Sequence, residues 1–331
     1  MLRLPWFDYR APRTIAEAAK ILAGEGPQAM LIAGGTDLLP NMKRRHQTPK
    51  VLVSLKGIAS LRVLNGSFGA GITLTEVVES RKTPTALRQA AAQVATPQLR
   101  NVGTLGGNLC LDTRCTYYNQ NYEWRQAIDF CLKKDGDICW VATASKRCVA
   151  VSSTDTAPAL IALNASVTLV SSSGSREVRL EDLYRNDGIE YLSRKPDEIL
   201  TEVRIPGDWK STYWKLRRRG SFDFPILGVA VALRFDSDLS IQEARVALGA
   251  AASRPFLADK AGEYLKGKKL SDEVIAEASA LIANRAKPLD NTDMDLYWRK
   301  EVADDFAGYA LRELRGDDMR ATRLRVARYA V

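Results

Sequence analysis

Histidine is nearly absent from this sequence, and its scarcity excludes whole classes of catalytic site. His46 is the only histidine among 331 residues. A Cys–His pair or a Ser–His–Asp triad needs an imidazole beside its nucleophile, and His46 has no evident base partner, so we exclude nucleophilic catalysis of both kinds. Because Arg44 and Arg45 precede it, we predict that His46 is an ordinary surface histidine.

Long apolar runs are also missing. No run approaches the roughly 20 apolar residues that cross a bilayer, so we expect no membrane association. The N-terminus, MLRLPWFD, lacks the apolar stretch and cleavage site of a secretory signal, which favours a cytoplasmic location. Thiols stay reduced there, so the five cysteines are expected to be metal ligands or free thiols rather than disulfides.

Acidic residues are fewer than basic ones, 39 against 48, and the net charge is +9. Such an excess suits nucleic acid, an anionic surface or an acidic protein partner. The basic residues form short clusters rather than one tract, and a solvated surface explains such clusters equally well. Composition therefore leaves the partner open. The clusters are residues 43–45, 217–219 and 320–328.

The hydrophobic pattern predicts an α+β protein with more than one domain. With 331 residues, of which 46% are apolar, the chain can bury several cores. A βαβ-like opening has strands at 29–33 and 51–55, and a hairpin at 60–72 is expected around Asn65-Gly66. After Pro206-Gly207, strands precede helices, which indicates a separate C-terminal domain. The strands are expected at 212–218, 226–235 and 242–251, and the helices at 257–266, 271–285 and 295–315.

Two glycine pairs stand in loops that precede helical segments. Gly34-Gly35 follows an apolar strand, and Gly106-Gly107 lies in a second loop. Glycine lets the backbone approach an anion closely, and N–H groups at a helix start can bind phosphate. Neither pair has the Gly-x-Gly-x-x-Gly spacing, which counts against a Rossmann site. The residues alone leave two readings, phosphate-binding loops or tight turns.

The two loops together resemble those of a known family. Ile32-Ala-Gly-Gly-Thr-Asp-Leu38 and Arg100-Asn-Val-Gly-Thr-Leu-Gly-Gly-Asn-Leu109 resemble the FAD loops of the medium subunit of the xanthine dehydrogenase and carbon monoxide dehydrogenase family. The resemblance implies an FAD-binding domain of the PCMH (vanillyl-alcohol oxidase-like) type, made of two α/β subdomains, plus an α+β C-terminal domain with a three-stranded sheet and helices. It implies FAD-binding subdomains at 1–58 and 59–208, a C-terminal domain of CO dehydrogenase flavoprotein type at 209–318 and a basic tail at 319–331.

The same resemblance implies which residues contact FAD. The first loop would bind the diphosphate, and the second would lie against the flavin and its ribityl chain. Asp155 would touch the cofactor, and Lys215 would approach the isoalloxazine. No residue of this chain is expected to be catalytic. The expected FAD contacts are Ile32, Ala33, Gly34, Gly35, Thr36, Asp37, Leu38, Thr73, Thr104, Gly106, Gly107, Asn108, Asp155 and Lys215.

Residues 110–153 form an insert that holds all five cysteines and several aromatics. Four thiolates suit a tetrahedral zinc ion or an iron–sulfur cluster. Paired Cys-x-x-Cys knuckles are absent, which disfavours zinc, and the classical ferredoxin spacing is absent too. The segment 113–120, with cysteines at +16, +24 and +33 from Cys115, resembles the [4Fe–4S] insert of 4-hydroxybenzoyl-CoA reductase β subunits. That resemblance implies the ligands Cys115, Cys131, Cys139 and Cys148, with Cys110 as a spare buried thiol.

The resemblance also implies an electron-transfer role, with substrate chemistry on a partner. A large subunit would carry the molybdenum cofactor and a small subunit [2Fe–2S] clusters, in a dimer of heterotrimers. In a 4-hydroxybenzoyl-CoA reductase-like enzyme, ferredoxin or another electron carrier would reduce the [4Fe–4S] cluster and then FAD; no nucleic acid is expected. Two alternatives stay open. They are an FAD subunit of an aldehyde or N-heterocycle oxidoreductase with outward electron flow, and a zinc-containing basic protein that binds nucleic acid.

Overall fold

A parallel sheet opens the chain. A computed structural model describes residues 3–220 and 222–328. The first sheet has the order β1-β3-β2, with all neighbours parallel, as crossover connections through helices require. The predicted βαβ opening is present, and an edge strand, β1, is added; its three exposed residues carry no apolar pattern that could reveal it. The bounds are β1 Asp8–Arg10, α1 Ile15–Glu25, β2 Ala29–Ile32, α2 Leu38–Lys43 and β3 Val51–Ser54.

Helix α1 shows how this layer is fixed. The Thr14 side chain accepts a hydrogen bond from a backbone N–H of the first turn, and Gly26, with φ +59°, follows the last turn. The inner face of the helix packs in one core with β3. This core supports β2, whose end leads into the first glycine loop. The buried residues of the helix are Ala18, Ala19 and Leu22.

The second sheet is antiparallel, with the order β4-β7-β5-β6. Helix α8 is buried along its whole length and lies in the largest hydrophobic core together with α4 and α6. The second glycine loop leads into α6, and the pair Gly106-Gly107, expected in the loop, lies in the first turn of that helix. The bounds are β4 Phe68–Gly69, α3 Leu74–Glu79, α4 Thr85–Ala92, α5 Pro97–Arg100, α6 Leu105–Leu109, α7 Tyr122–Ala127, α8 Thr156–Ala162, β5 Ser166–Ser171, β6 Gly174–Arg179 and β7 Ile199–Arg204.

The predicted hairpin at 60–72 was wrong in extent. A turn does form at Gly66, which has φ +90°, but Leu64 and Phe68 make one isolated antiparallel bridge. Residues 59–62 form a short 3-10 helix instead of a strand. The strand that follows the turn pairs with β7, so a long-range partner replaces the local one.

The cysteine insert contains α7 and turns. Its two ends are joined by a backbone bridge between Arg114 and Val151, with N···O distances of 2.8 and 2.7 Å. Its hydrophobic core is small and includes two cysteines: the buried members are Cys115, Tyr118, Cys148 and Ala150. The insert is therefore anchored at its base but has few apolar contacts of its own.

The third sheet is antiparallel and has four strands, in the order β11-β10-β9-β8, where three were predicted. The added strand, β11, has two residues and pairs with the end of β10, too short to leave a periodic signal. One face of the sheet shares the core of α8, and the other packs on α10 and α11. The bounds are β8 Lys210–Leu216, β9 Leu227–Phe235, β10 Ile241–Gly249, β11 Phe256–Leu257, α9 Asp259–Leu265, α10 Asp272–Arg285 and α11 Leu296–Arg315.

The basic tail predicted at 319–331 forms a helix in its described part, α12 (Arg320–Arg328). Arg323 attaches it to β8: its guanidinium donates to the Glu313 carboxylate at 2.7 Å, to Thr212 Oγ1 at 2.8 Å and to the Tyr213 carbonyl at 3.3 Å. It also lies 4.0 Å from the centre of the Trp214 ring. Nowhere in the described ranges is a helix long and apolar enough to cross a membrane.

Replacement of Arg323 tests this attachment. We expect Arg323→Ala to lower stability by about 1–2 kcal/mol, because charge-assisted hydrogen bonds are lost together. Urea unfolding followed by tryptophan fluorescence measures the change; Trp214, which Arg323 contacts, is one of the six tryptophans that contribute to the signal. The matched control is Arg320→Ala in the same helix, whose side chain is 88% exposed and pairs with Asp318. It should change stability by less than about 0.5 kcal/mol; equal effects would contradict the attachment.

Candidate functional site

The two glycine loops meet face to face. Gly34 lies so close to the second loop that an added Cβ would overlap the carbonyl oxygen of Val102. Gly35 has φ +70°, a left-handed conformation that residues with a Cβ rarely adopt. Close approach therefore requires the first glycine of the pair, and backbone conformation requires the second.

The two glycines of the second pair have different surroundings. Gly106 is packed inward: its Cβ position lies 2.7 Å from the Ala70 Cβ, and its N–H donates to the Ala70 carbonyl at 2.8 Å. Gly107 is exposed, and its Cβ position lies 3.8 Å from the Ala33 Cβ of the first loop. Gly106 thus anchors the loop, whereas Gly107 lies at the opening between the loops.

The first loop stays accessible while its support is buried. Every residue from Ile32 to Leu38 is half-buried, whereas β3 beside it is fully buried. Thr36 lies close to the second loop, with its Oγ1 3.6 Å from the Cβ position of Gly103. An ordered loop with accessible backbone N–H groups is what an anionic ligand requires.

Thr73 and Thr104 join the second loop to α3. They form an isolated antiparallel bridge, and each hydroxyl caps the helix that follows it. Thr73 Oγ1 accepts from the Glu76 N–H at 3.2 Å and donates to its carboxylate at 2.8 Å; Thr104 Oγ1 accepts from the Gly107 N–H at 3.1 Å. Both hydroxyls therefore order the loop, and a direct flavin contact by Thr73 stays a prediction.

Asn108 ties the second loop to the start of α8. Its Oδ1 accepts hydrogen bonds from Thr154 Oγ1 at 2.8 Å, from the Thr156 N–H at 3.2 Å and from Thr156 Oγ1 at 2.6 Å. These bonds occupy the side-chain oxygen of a buried residue. Asn108 therefore holds the second glycine loop against the segment that carries Asp155.

Asp155 and Lys215, predicted as separate flavin contacts, bind each other. Lys215 Nζ donates to Asp155 Oδ2 at 2.9 Å and to the Gln93 carbonyl at 2.9 Å, and Tyr213 Oη donates to Asp155 Oδ1 at 2.8 Å. Burial raises the pKa of Asp155 and lowers the pKa of Lys215, while their mutual attraction opposes both shifts. The pair joins the third sheet to the start of α8. The role of Tyr213 was missed, because only the fold brings it to Asp155.

Asp37 has a partner that the sequence did not reveal. It precedes α2 and forms an ion pair with Arg114, whose side chain is 6% exposed. Arg114 stands directly before Cys115, which is the only local hint of a role, and the two partners are 77 positions apart. The first glycine loop is therefore bound to the cysteine insert.

Comparison with known proteins identifies this arrangement. The FAD binding domain in molybdopterin dehydrogenase matches residues 5–208, and the CO dehydrogenase flavoprotein C-terminal domain matches residues 211–314. The chain belongs to the FAD-binding medium subunits of the xanthine dehydrogenase and carbon monoxide dehydrogenase family. The predicted family, fold class and oxidoreductase-subunit assignment are confirmed at this level.

Individual relatives agree with the family assignment. The aldehyde oxidoreductase FAD-binding subunit PaoB of Escherichia coli is 31% identical over 86% of this chain and 94% of its own length. The nicotinate dehydrogenase FAD-subunit of Eubacterium barkeri is 27% identical over 89% and 91%. Reconstituted CO dehydrogenase from Oligotropha carboxidovorans superposes with a TM-score of 0.77 at 25% identity, covering 95% of this chain and 99% of the other.

The residues present fit FAD in this medium subunit. The two loops form a cradle in which glycine Cβ atoms would clash with backbone or block the opening. The backbone N–H groups of the half-buried loop 32–38 suit the diphosphate of FAD. The individual FAD contacts and the domain boundaries stay predictions.

The four predicted cysteine ligands line one small cavity in the insert. Aromatic and aliphatic side chains close it, among them Tyr117, Trp140 and Val141. Backbone N–H groups of Tyr117 and Tyr118 donate to Cys115, and the Ala150 N–H donates to Cys148 Sγ at 3.4 Å. Cys110 lies apart and packs on the large core. The lining residues that carry sulfur are Cys115, Cys131, Cys139 and Cys148.

The four cysteines around this cavity are not gathered as the ligands of one ion. Within residues 3–220 and 222–328, no three His, Cys, Asp or Glu side chains are grouped to hold one metal ion. Around a tetrahedral zinc ion, with Zn–S bonds of about 2.3 Å, the sulfurs lie about 3.8 Å apart. An iron–sulfur cluster places several atoms between its thiolates and needs a wider cage. Burial raises the pKa of Cys115 to about 11 and of Cys148 to about 12, so a bound cation would have to displace their protons.

The prediction that His46 lies on the surface was wrong. The residue is 4% exposed, and its ring stacks on Tyr118 with centroids 4.0 Å apart. Nε2 lies 3.3 Å from the Gln120 carbonyl, which can only accept, and Nδ1 has no partner in the described part of the chain. Burial, with repulsion from Arg125 and Arg114, lowers the pKa of His46 to about 4. The insert covers His46, and its neighbours in sequence give no sign of this.

Gly34→Ala tests the contact between the loops. The added methyl group must separate the first loop from the Val102 carbonyl, so we expect FAD affinity to fall at least about tenfold, or about 1.4 kcal/mol. Fluorescence titration of the flavin-free chain measures it. The control is Gly24→Ala in α1, where a Cβ meets nothing within 4 Å. Unchanged affinity in Gly34→Ala would refute a site between these loops.

His46 should make stability depend on pH. Its pKa is about 4 when folded against 6.5 for the free group, so the unfolded chain binds the proton first. Stability must therefore fall as the pH decreases through 6.5 towards 4, by about 1–3 kcal/mol from this group. Urea unfolding from pH 7 to pH 4.5 should show a shallower loss in His46→Gln. Parallel curves for the two proteins would contradict the buried neutral imidazole.

Proposed function

We propose that this chain is the FAD-binding electron-transfer subunit of a molybdenum-containing oxidoreductase that acts on an aldehyde or an N-heterocycle, with electrons flowing outward to an acceptor. The similarity to an aldehyde oxidoreductase FAD-binding subunit and to a nicotinate dehydrogenase FAD-subunit supports this reading. The single observation that carries it is the paired glycine-loop cradle within a matched FAD-binding domain.

The cysteine cavity supports a second cofactor, a [4Fe–4S] cluster. Four buried cysteines around one cavity, with N–H groups donating to sulfur, fit such a cluster. A cluster in this subunit would also be compatible with a second candidate function, that of a 4-hydroxybenzoyl-CoA reductase-like subunit with inward electron flow from ferredoxin. The cysteine spacing favours that candidate, whereas the relatives favour the first. The proposed ligands are Cys115, Cys131, Cys139 and Cys148.

The chain's residues would hold and orient the flavin. Bound FAD supplies the ability to exchange electrons singly or in pairs. Backbone N–H groups of the loop 32–38 would bind the diphosphate, and the loop 104–108 would lie along the ribityl chain. Asn108 fixes the second loop, and the Asp155–Lys215 pair fixes the wall beyond it. Substrate chemistry would occur on a partner subunit.

The proposed partners are a large molybdenum-cofactor subunit and a small [2Fe–2S] subunit, in a dimer of heterotrimers. The CO dehydrogenase relatives described as medium chains support such an assembly. The net charge of +9 would attract an acidic electron carrier such as ferredoxin and speed its association with this chain. A cytoplasmic location stays a prediction.

Anaerobic purification with quantification of iron, sulfide, zinc and FAD tests both cofactors. We expect about four irons, four sulfides and one FAD per chain. Cys139→Ser should lose most of the iron because it removes one thiolate ligand, whereas the matched control Cys110→Ser should keep it. Flavin without iron would refute the cluster alone, and zinc without flavin would refute the whole assignment.

The direction of electron flow needs the assembled enzyme. Under outward flow, an aldehyde or nicotinate should bleach the flavin absorbance anaerobically, with no other reductant present. Under inward flow, reduced ferredoxin should bleach it while these substrates do not. This experiment separates the two candidate functions independently of the iron and sulfide measurements.

A further inference from the structure

Arg114 occupies a junction between the proposed cluster and the proposed flavin loop. Its backbone is fixed by two hydrogen bonds to Val151, and the next residue is Cys115 of the cavity. Its side chain extends to the first glycine loop, where it pairs with Asp37. It also donates to Asn41 Oδ1 at 2.9 Å on α2. Arg114 is therefore bonded directly to Cys115 of the cavity wall and is joined to the first glycine loop by its ion pair with Asp37.

Asp37 is an unfavourable residue in an anion-binding loop. Its carboxylate stands at the start of α2, beside the backbone that would receive a diphosphate. Burial raises the pKa of Asp37, and Arg114 opposes this shift and favours the charged carboxylate. An unpaired carboxylate here would repel the diphosphate, so the loop needs the cation that Arg114 supplies.

The position of Arg114 also depends on the cysteine loop. Asn119 Oδ1 lies 3.5 Å from Arg114 Nη1, and the Asn119 N–H donates to the Cys115 carbonyl at 2.8 Å. The Arg114 guanidinium lies 5.0 Å from the Phe224 ring of the segment between β8 and β9. A shift of Cys115 when the cavity fills would therefore move the residue that neutralises Asp37.

We propose that Arg114 is a positioning residue that couples the cysteine cavity to the flavin loop: it neutralises Asp37 so that the loop accepts the FAD diphosphate, and occupancy of the cavity by a cluster sets its position. The coupling rests on the proposed function, whereas the neutralisation of Asp37 requires FAD alone. Because coupling between two sites is reciprocal, a filled cavity should raise FAD affinity, and bound FAD should retain the cluster.

The neutralisation is tested by FAD titration of the full chain after flavin removal. Arg114→Met should weaken FAD binding at least about tenfold, or about 1.4 kcal/mol, because it removes the counter-charge of Asp37 and leaves only the neutral Asn41 amide, 3.0 Å away, as its partner. Adding Asp37→Asn to that variant removes the repelling charge but keeps a polar side chain at this predicted FAD contact, so it should restore affinity to within about threefold. Arg114→Lys should keep part of the affinity. Rescue by Asp37→Asn would not follow from mere damage to folding. Equal affinity of wild type and Arg114→Met would overturn the proposal.

The coupling is tested by comparing FAD affinity in iron–sulfide-reconstituted and chelator-treated chains, with iron measured in each. Reconstituted wild type should bind FAD at least about fivefold more tightly than treated wild type. In Arg114→Met with Asp37→Asn, the ratio should approach one. Iron-loaded chains with the wild-type ratio in that double variant would overturn the coupling alone. A wild type that takes up no iron would refute the cluster and the coupling together, while the FAD titrations would still decide the role of Asp37.

Discussion

The approach of Gly34 to the Val102 carbonyl is the contact on which the rest of the site depends. The first loop follows a strand of the parallel sheet, whereas the second connects two helices, α5 and α6, so in the described part of the chain no strand pairing aligns them. Their separation is set by backbone contact, which is short-ranged and leaves no tolerance for a side chain. The opening between two rigid layers, rather than a cavity within one core, is what the FAD-binding domain provides.

The buried Asp155–Lys215 pair fixes the position of the third sheet relative to α8. A pair of charges removed from water stabilises a fold little, because desolvation offsets most of the attraction. What the pair does supply is direction: a lysine and a tyrosine on one strand can satisfy this carboxylate only in one register. The orientation of the third sheet against α8 is therefore specified by polar bonds within an otherwise apolar core.

The sequence predicted the parts of the fold that carry periodic or glycine signals. The βαβ opening, the principal strands of the third sheet and α10 and α11 are close to their expected positions, because apolar spacing records burial directly. β11 and the reduced hairpin escaped prediction because their pairing is decided by distant partners. His46 was misjudged for the same reason. The pairing of Arg114 with Asp37 likewise depends on the fold, since ion pairs between distant segments leave no local pattern in the sequence.

The insert differs from the rest of the molecule in what holds it together. The three sheets are held by cores of aliphatic and aromatic side chains, which form as the chain collapses. The insert has a core of four buried residues, two of them cysteines. With the proposed occupant, its cohesion would come from thiolate bonds supplied only when metal arrives. The subunit would then mature in two stages, first the scaffold and later the insert, so that cofactor supply rather than chain synthesis sets when it becomes competent.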